Sequence, residues 1–426
     1  RPYAGSASIG RDKTMKITND NLLKYNNTFG EVHDLDVTAG YTYEQEDVNW
    51  SGGSAQDFPS DYFTYKNLGA AGIIGDPWNG SYSWRLMSYL GRVNYTFDDT
   101  YSLSVSARAD GSSKFGANSK WGFFPAAALG WTISNESFME DMDFISNLKL
   151  RLSYGQSGND RIGTYSSLAT VDFYTDYAFG GNTLNNQVTC AGPSGIPNPD
   201  LGWEQSTDYD IGLDVSFFEN RITMVMDYYY QKTTNMILGV PLPHQSGFGG
   251  VDQNTGAMEN EGFELNLTSY NISGDNFTWK TSLNFSTNRN EILDLGAKDF
   301  IYVGWAGSGN VWFHGRHVAR LEAGHPVGAF YGSVMHPNSV WKDQEQIDEV
   351  GTMPDASPGD YRFVDTNGDG SYSGDDDTYV GNPNPDFIYG LTNTMSVGNF
   401  NIRLFLQGTY RSEERRVGKE CTLRCR

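Results

Sequence analysis

An all-β fold is predicted here: a partial antiparallel transmembrane β-barrel with short periplasmic turns and long extracellular loops. Two observations predict it, and a third is neutral between a soluble and an outer-membrane setting. Apolar and polar residues alternate with period two through many segments. Those segments are joined alternately by tight turns and by long polar connections, the layout of an outer-membrane barrel. No run of about 18 apolar residues is present, so any crossing of a bilayer must be made by strands. Composition agrees: of 426 residues 38% are hydrophobic, 14% are aromatic and 49 are glycine, which favours strands joined by polar loops. Helix–strand alternation of an α/β enzyme is lacking.

Taken in order, residues 13–25 read as a weak strand, and residues 34–44 as a clear one, with Leu35, Val37, Tyr41 and Tyr43 against Asp34, Asp36, Thr42 and Glu44. Residues 47–82 have no period and read as a long loop. Residues 87–97 and 101–109 form a hairpin over Asp98-Asp99-Thr100. A Gly/Ser-rich connection follows, then a strand over 121–131, one helical turn within 136–145, and a strand over 148–154. Residues 156–202 read as polar loop.

Residues 207–231 give the clearest hairpin. Tyr209, Ile211, Leu213 and Val215 alternate with Asp210, Gly212 and Asp214, and after Glu219-Asn220 the pattern resumes with Met224, Met226, Tyr228 and Tyr230. Each arm is near the length of a tilted transmembrane strand, with the first set toward lipid and the aspartates toward a wet lumen. Residues 262–270 pair with 277–287, residues 289–377 read as mostly irregular and polar with isolated strand-like pieces, and 387–397 pair with 400–410 across Gly398-Asn399.

The net charge is −22, and no basic stretch in the body suits nucleic acid, which is not expected as a partner. Residues 411–426 switch to a dense charged string that resembles the translation of a sequencing-adapter oligonucleotide. Domain organisation is therefore read as 1–410 partial barrel and 411–426 non-native tail. Removing that tail leaves the body at −25 with Cys190 as its single cysteine, which suits an exported protein independent of disulfides. The opening residues lack a signal peptide and an initiating Met, and the chain is expected to be cut at both ends.

Residues 365–376, DTNGDGSYSGDD, place Asp365, Asn367, Asp369, Ser371 and Asp376 at the offsets of a calcium loop, with Gly370 at the sharp turn. Position twelve is Asp rather than Glu, and the flanks look extended. An acidic turn without metal is the alternative; a bound Ca2+ would be structural, with no catalytic cofactor expected. His314 and His317 lack a third ligand and read as ordinary loop histidines. Trp50, Trp78, Trp305, Trp312 and Trp341 fall in or beside irregular stretches, where flat rings either stack on sugars or pack their own loops. The first four are the candidate ligand-binding residues. No catalytic constellation stands out, and no enzyme activity is expected.

Several segments together resemble a known family. RADGSSKFG (108–116), KWGFFPAAALGW (120–131), FISNLKLRLSYGQSGN (144–159), NPDLGWEQSTDY (198–209), ENEGFEL (259–265) and VGNPNPDFIYG (380–390) are similar to SusC/RagA-type TonB-dependent outer-membrane transporters. The resemblance implies a large barrel with a plug, energised by the TonB complex through an N-terminal region absent here. It implies a SusD-like surface lipoprotein partner delivering oligosaccharide or peptide, and an outer-membrane setting among lipid. Rivals are a siderophore or vitamin receptor, a secreted β-rich carbohydrate-binding or adhesin protein, and a β-structured glycoside hydrolase.

Overall fold

The computed structural model describes residues 5–60, 62, 64–178, 187–305 and 317–410. The charged tail over 411–426 lies outside these residues. The chain opens with β1 (Ser6–Phe29), β2 (His33–Gln56), a short β3 (Ile73–Ile74) and β4 (Trp78–Phe97). It continues through β5 (Tyr101–Ser112), β6 (Trp121–Thr132) and β7 (Ile145–Asn159). A side hairpin, β8 (Val171–Ala178) and β9 (Gln187–Pro193), precedes the long strands β10 (Glu204–Phe217), β11 (Ile222–Pro241), β12 (Gly250–Ser273) and β13 (Phe277–Leu295). Then come β14 (Phe300–Trp305), β15 (His317–Glu322), β16 (Phe330–Gly332), β17 (Met335–Val340), α1 (Gln344–Val350), β18 (Tyr361–Phe363) and β19 (Thr378–Gly381). The hairpin β20 (Phe387–Val397) and β21 (Phe400–Tyr410) ends the described chain.

One antiparallel sheet runs β1-β2-β4-β5-β6-β7-β10-β11-β12-β13-β20-β21, with β3 added beside β2. Sequence neighbours are spatial neighbours throughout, so the wall is an up-and-down meander. β1 and β21 are its two edges and are not paired with each other, so the wall does not close. The turns over 30–32, 98–100, 218–221, 274–276 and 398–399 lie at one end. So does the connection over 133–144, which makes two 3-10 turns (Ile133–Asn135 and Ser137–Met139), the second within the stretch expected to form one helical turn. Connections over 57–77, 113–120, 160–203, 242–249 and 296–386 lie at the other end. The asymmetry expected of a membrane barrel is thus present.

Several strands are much longer than their alternation suggested. β1 and β2 each span 24 residues and pair along their whole length, about twice what a tilted strand needs to cross a bilayer. Nearly half of the supposed loop over 47–82 is strand, because β2 continues to Gln56 and β4 begins at Trp78, which leaves a shorter loop over 57–77. Glycines and aromatics on the inner face blurred the period there. The turn after β10 holds Phe218, Glu219 and Asn220 in left-handed backbone, with φ of 53°, 54° and 64°. Asn tolerates that conformation better than most residues, while Phe and Glu carry strain. Among the described residues between 296 and 386 the isolated strand-like pieces assemble into the small sheet β14-β15-β16-β19 and the pair β17-β18, with α1 added.

Candidate functional site

In an antiparallel ladder directly opposed residues point to the same face. One apolar face can therefore be followed across the wall. Leu150, Leu213, Met226, Leu265 and Phe285 stand in register from β7 to β13, and Tyr154, Tyr209 and Tyr230 make a parallel row. Leu103, Val105, Leu129, Leu152 and Ile211 on this face are all exposed, as lipid-facing groups should be. The opposite, inner face carries Arg151, Asp210, Asp214, Asp227 and Glu264, so the aspartates read from the sequence as luminal are on the inner wall.

Arg151 organises that inner face. Its Nη2 lies 2.7 Å from Asp227 Oδ1 and 2.8 Å from Asp214 Oδ1, while Nε donates to Asp214 Oδ2 at 3.0 Å. Register places Gly212 between Arg151 and Asp227. A Cβ at Gly212 would sit 2.4 Å from Arg151 Cζ, so the missing side chain is what lets the guanidinium cross β10. This pairing was not legible in the sequence.

The resemblance-bearing motifs meet at the long-loop end. Phe115, Phe124 and Trp203 form a buried cluster, with Trp203 5.0 Å from Phe115 and 5.4 Å from Phe124 between ring centres. Trp203 Nε1 donates to the Lys120 carbonyl at 3.0 Å, and Gly116 N donates to the Leu201 carbonyl at 2.9 Å. At Gly116 a Cβ would come within 2.2 Å of the Pro199 carbonyl oxygen, so only glycine permits this approach. The three motifs therefore tie the connections over 113–120 and 160–203 to the wall. Beside them, buried Ser88 accepts from Arg108 Nη2 at 3.0 Å, and buried Ser112 donates to Asp160 at 3.1 Å.

Of the four candidate ligand-binding tryptophans, Trp50 and Trp78 are on strands rather than loops. Trp50 lies over Gly80, directly opposite on β4, and its ring is 6.0 Å from Tyr82. Trp78 reaches across Gly52 toward Gly10. Tyr82 and Trp84, which sequence reasoning left out, share this face: Trp84 Nε1 donates to Glu46 at 3.3 Å and Lys114 Nζ stands 5.0 Å from the Trp84 ring. A period-two reading of 78–84 would have found them. Trp305 ends β14 with its side chain outside the described residues; Trp312 and His314 lie outside them altogether. His317 opens β15, its side chain likewise outside. Trp341 is buried beneath the Arg362 guanidinium, 4.6 Å away, and packs its own loop.

The loop over 365–376 is closed by its own side chains. Asp365 accepts from Gly368 N at 2.6 Å and Gly370 N at 2.8 Å; Asp369 accepts from Ser371 N at 2.8 Å. Buried Asp376 accepts from Ser373 N at 2.7 Å and Thr366 N at 2.8 Å. The Ser373 amide, helped by those of Asn367 and Thr366 and by Asp365, holds the Asp376 carboxyl below the usual carboxylate range despite its burial. The oxygens suit a hard cation in kind. Among the described residues no group of three or more His, Cys, Asp or Glu stands together as a metal site; a loop of this kind would add Asn, Ser and carbonyl oxygens.

Comparison with known proteins agrees with this architecture. The family described as TonB dependent receptor-like, beta-barrel matches residues 2–415. TonB-dependent receptor P26 of Formosa agariphila is 35% identical over 415 residues, covering 96% of this chain and 40% of that protein. TonB-dependent receptor SusC of Bacteroides thetaiotaomicron is 34% identical over 330 residues, covering 76% of this chain and 31% of its own. The solved structure of the RagAB peptide transporter superposes with a TM-score of 0.72 at 25% identity, over 94% of this chain and 41% of that one. The chain thus spans about 30–40% of the length of the curated relatives it matches. A meander with a lipid-suited outer face, a charged inner face and long connections at one end is what that kinship requires: the chain belongs to the TonB-dependent receptor family, as wall of a SusC/RagA-like outer-membrane β-barrel.

Proposed function

We propose that the receptor carrying this wall imports oligosaccharide, or alternatively peptide, through the outer membrane. TonB would supply the energy and a SusD-like surface lipoprotein would serve as the partner that delivers ligand. The observation that carries this reading is likeness over most of the chain to SusC and to the RagAB peptide transporter. The inner wall supports it, since a charged, wet face suits passage of polar solutes. Peptide import is the second reading, favoured by the likeness to the RagAB peptide transporter. The wall's residues would shape the path without covalent chemistry. Deleting the gene of the whole receptor and growing the mutant on a panel of glycans and peptides tests the proposal. Loss of growth on one glycan class supports the first reading, loss on peptides supports the second, and loss on neither overturns both. Affinity purification of the tagged receptor should recover a SusD-like lipoprotein.

We also propose that Asp365, Asn367, Asp369, Ser371 and Asp376 take up Ca2+ as a structural ion. A carboxylate has lone pairs enough to accept an amide hydrogen and ligate a cation together, so the amide bonds that already shape this loop are compatible with the ion. Calorimetric titration with calcium that shows no heat at millimolar concentration would remove the ion. The side chains of Trp50 and Trp78 are proposed as ligand contacts, and Trp305 and Trp312 as further ones.

A further inference from the structure

Along β2 and β4 the polarity of the two faces reverses. In the lower part the outer face is apolar, with Val37 opposite Val93 and Tyr41 opposite Tyr89, and the inner face is polar, with Asp36 opposite Asn94. Farther toward the long loops the outer face becomes Gln45, Asp47, Asn49 and Ser51 against Arg85, Ser83, Ser81 and Asn79. The inner face there becomes aromatic: Trp84 opposite Glu46, Tyr82 opposite Val48, Trp50 opposite Gly80 and Trp78 opposite Gly52. This segment lies beyond the Tyr41–Tyr89 row, outside the lipid-facing band. A strand pair that merely extends into water has no need of four aromatics on the side facing the barrel interior. Laying an indole over a glycine does stabilise a ladder, but that packing works equally well on either face and does not explain the choice.

The rings remain accessible: Trp78 is 42% exposed, and Trp50, Tyr82 and Trp84 are half-buried. Successive inner-face positions on one strand are about 6.8 Å apart, a step comparable to one pyranose ring. Polar groups border the row at one end. Glu46 accepts from Trp84 Nε1, Lys114 Nζ stands over the Trp84 ring and pairs with Asp160 at 3.7 Å, and Lys16 pairs with Glu44. Flat C–H faces of sugars pack on such rings, while their hydroxyls need donors and acceptors at the margin. A peptide is held instead by main-chain hydrogen bonds along a strand edge, such as β4 offers over residues 78–85 beyond its pairing with β5, and the decapeptide arm of the test separates that mode from stacking. This surface offers ring faces.

We propose that Trp50, Trp78, Tyr82 and Trp84 form a stacking rail for an oligosaccharide at the extracellular mouth, with Glu46 and Lys114 meeting its hydroxyls. The inference rests on the import reading above and commits it to glycan at this place. The test uses the whole receptor purified in detergent. Tryptophan fluorescence and calorimetry follow binding of maltohexaose, cellohexaose, laminarihexaose, xylohexaose and mannohexaose, with a mixed decapeptide pool as the contrast. At least one hexasaccharide should bind. Trp50→Ala and Trp84→Ala should each weaken it about tenfold, the loss expected of one aromatic stacking contact. Trp50→Phe should restore most of the affinity, Asn49→Ala on the outer face should change nothing, and thermal unfolding should confirm that every variant is folded. If no hexasaccharide binds, if folded alanine variants bind sugar as tightly as the parent, or if decapeptide binding is what depends on these rings, the rail is wrong. Sugar uptake that survives both alanine substitutions would sink the rail while leaving glycan import standing.

Discussion

Gly212 and Arg151 show how much can depend on an absent side chain. The guanidinium joins Asp214 and Asp227 only because nothing projects from Gly212 into its path. Gly212→Ala should displace it and lower the barrel's stability by about 1–3 kcal/mol, the range for polar groups deprived of partners. Arg151→Met should cost about 2 kcal/mol, less than for a fully buried pair because water reaches all three groups. Denaturant titration of the folded receptor in lipid vesicles measures both; a loss under half a kilocalorie in each would show that the network is incidental. Asp376 gives a pH prediction. Its folded pKa is depressed, so its contribution is fully present above the ordinary carboxylate value of 3.8 and is lost as pH falls through the lower folded value. The Ser373 and Thr366 amide resonances should shift together in that acid window, and in Asp376→Asn they should not. The network was not legible from sequence, because spacing along the chain says nothing about which residues stand opposite one another. The offsets of the loop were legible; that its carboxylates hold backbone amides was not.

Among the elements, the β10–β11 hairpin supplies the sharpest test of facing. Leu213, opposed by Leu150 and Met226, points outward at mid-wall, while Thr223 on the other face of β11 points inward. Leu213→Arg should cost about 2–4 kcal/mol in a bilayer, as charges on the lipid face of a barrel midplane do. Thr223→Arg should cost far less, and equal costs would show that the faces are misassigned. In the turn, Glu219 sits at φ 54°, so Glu219→Gly should relieve backbone strain. A gain of up to about 1 kcal/mol is expected, offset in part by the entropy of a freer unfolded chain. Alternation revealed this hairpin and its turn because both arms carry a clean period of two. The same test failed over 47–82, where β2 and β4 reverse polarity and place Gly52 and Gly80 beneath indoles. A period measured in hydrophobicity fades where the two faces exchange character.

For the molecule as a whole, the unpaired edges β1 and β21 govern behaviour outside a complete barrel. Both are long and largely exposed on the sheet's rim, with a row of backbone groups open to another strand. The 426-residue chain alone, refolded into detergent, should associate through these edges and elute as oligomers in light-scattering chromatography. A well-behaved monomer would mean that the edges close on each other. Local sequence by itself determined the architecture: side chains alternate on any strand, so lipid-suited and water-suited faces, tight turns and long connections are all written within a few residues of each other. The tertiary structure alone decided how far β2 and β4 run past the lipid band, which strand faces which, and therefore that Trp203 meets Phe115, that Arg151 bridges two aspartates, and that four aromatics share one inner face. Those are matters of register between strands, fixed by ladders joining residues far apart in the chain.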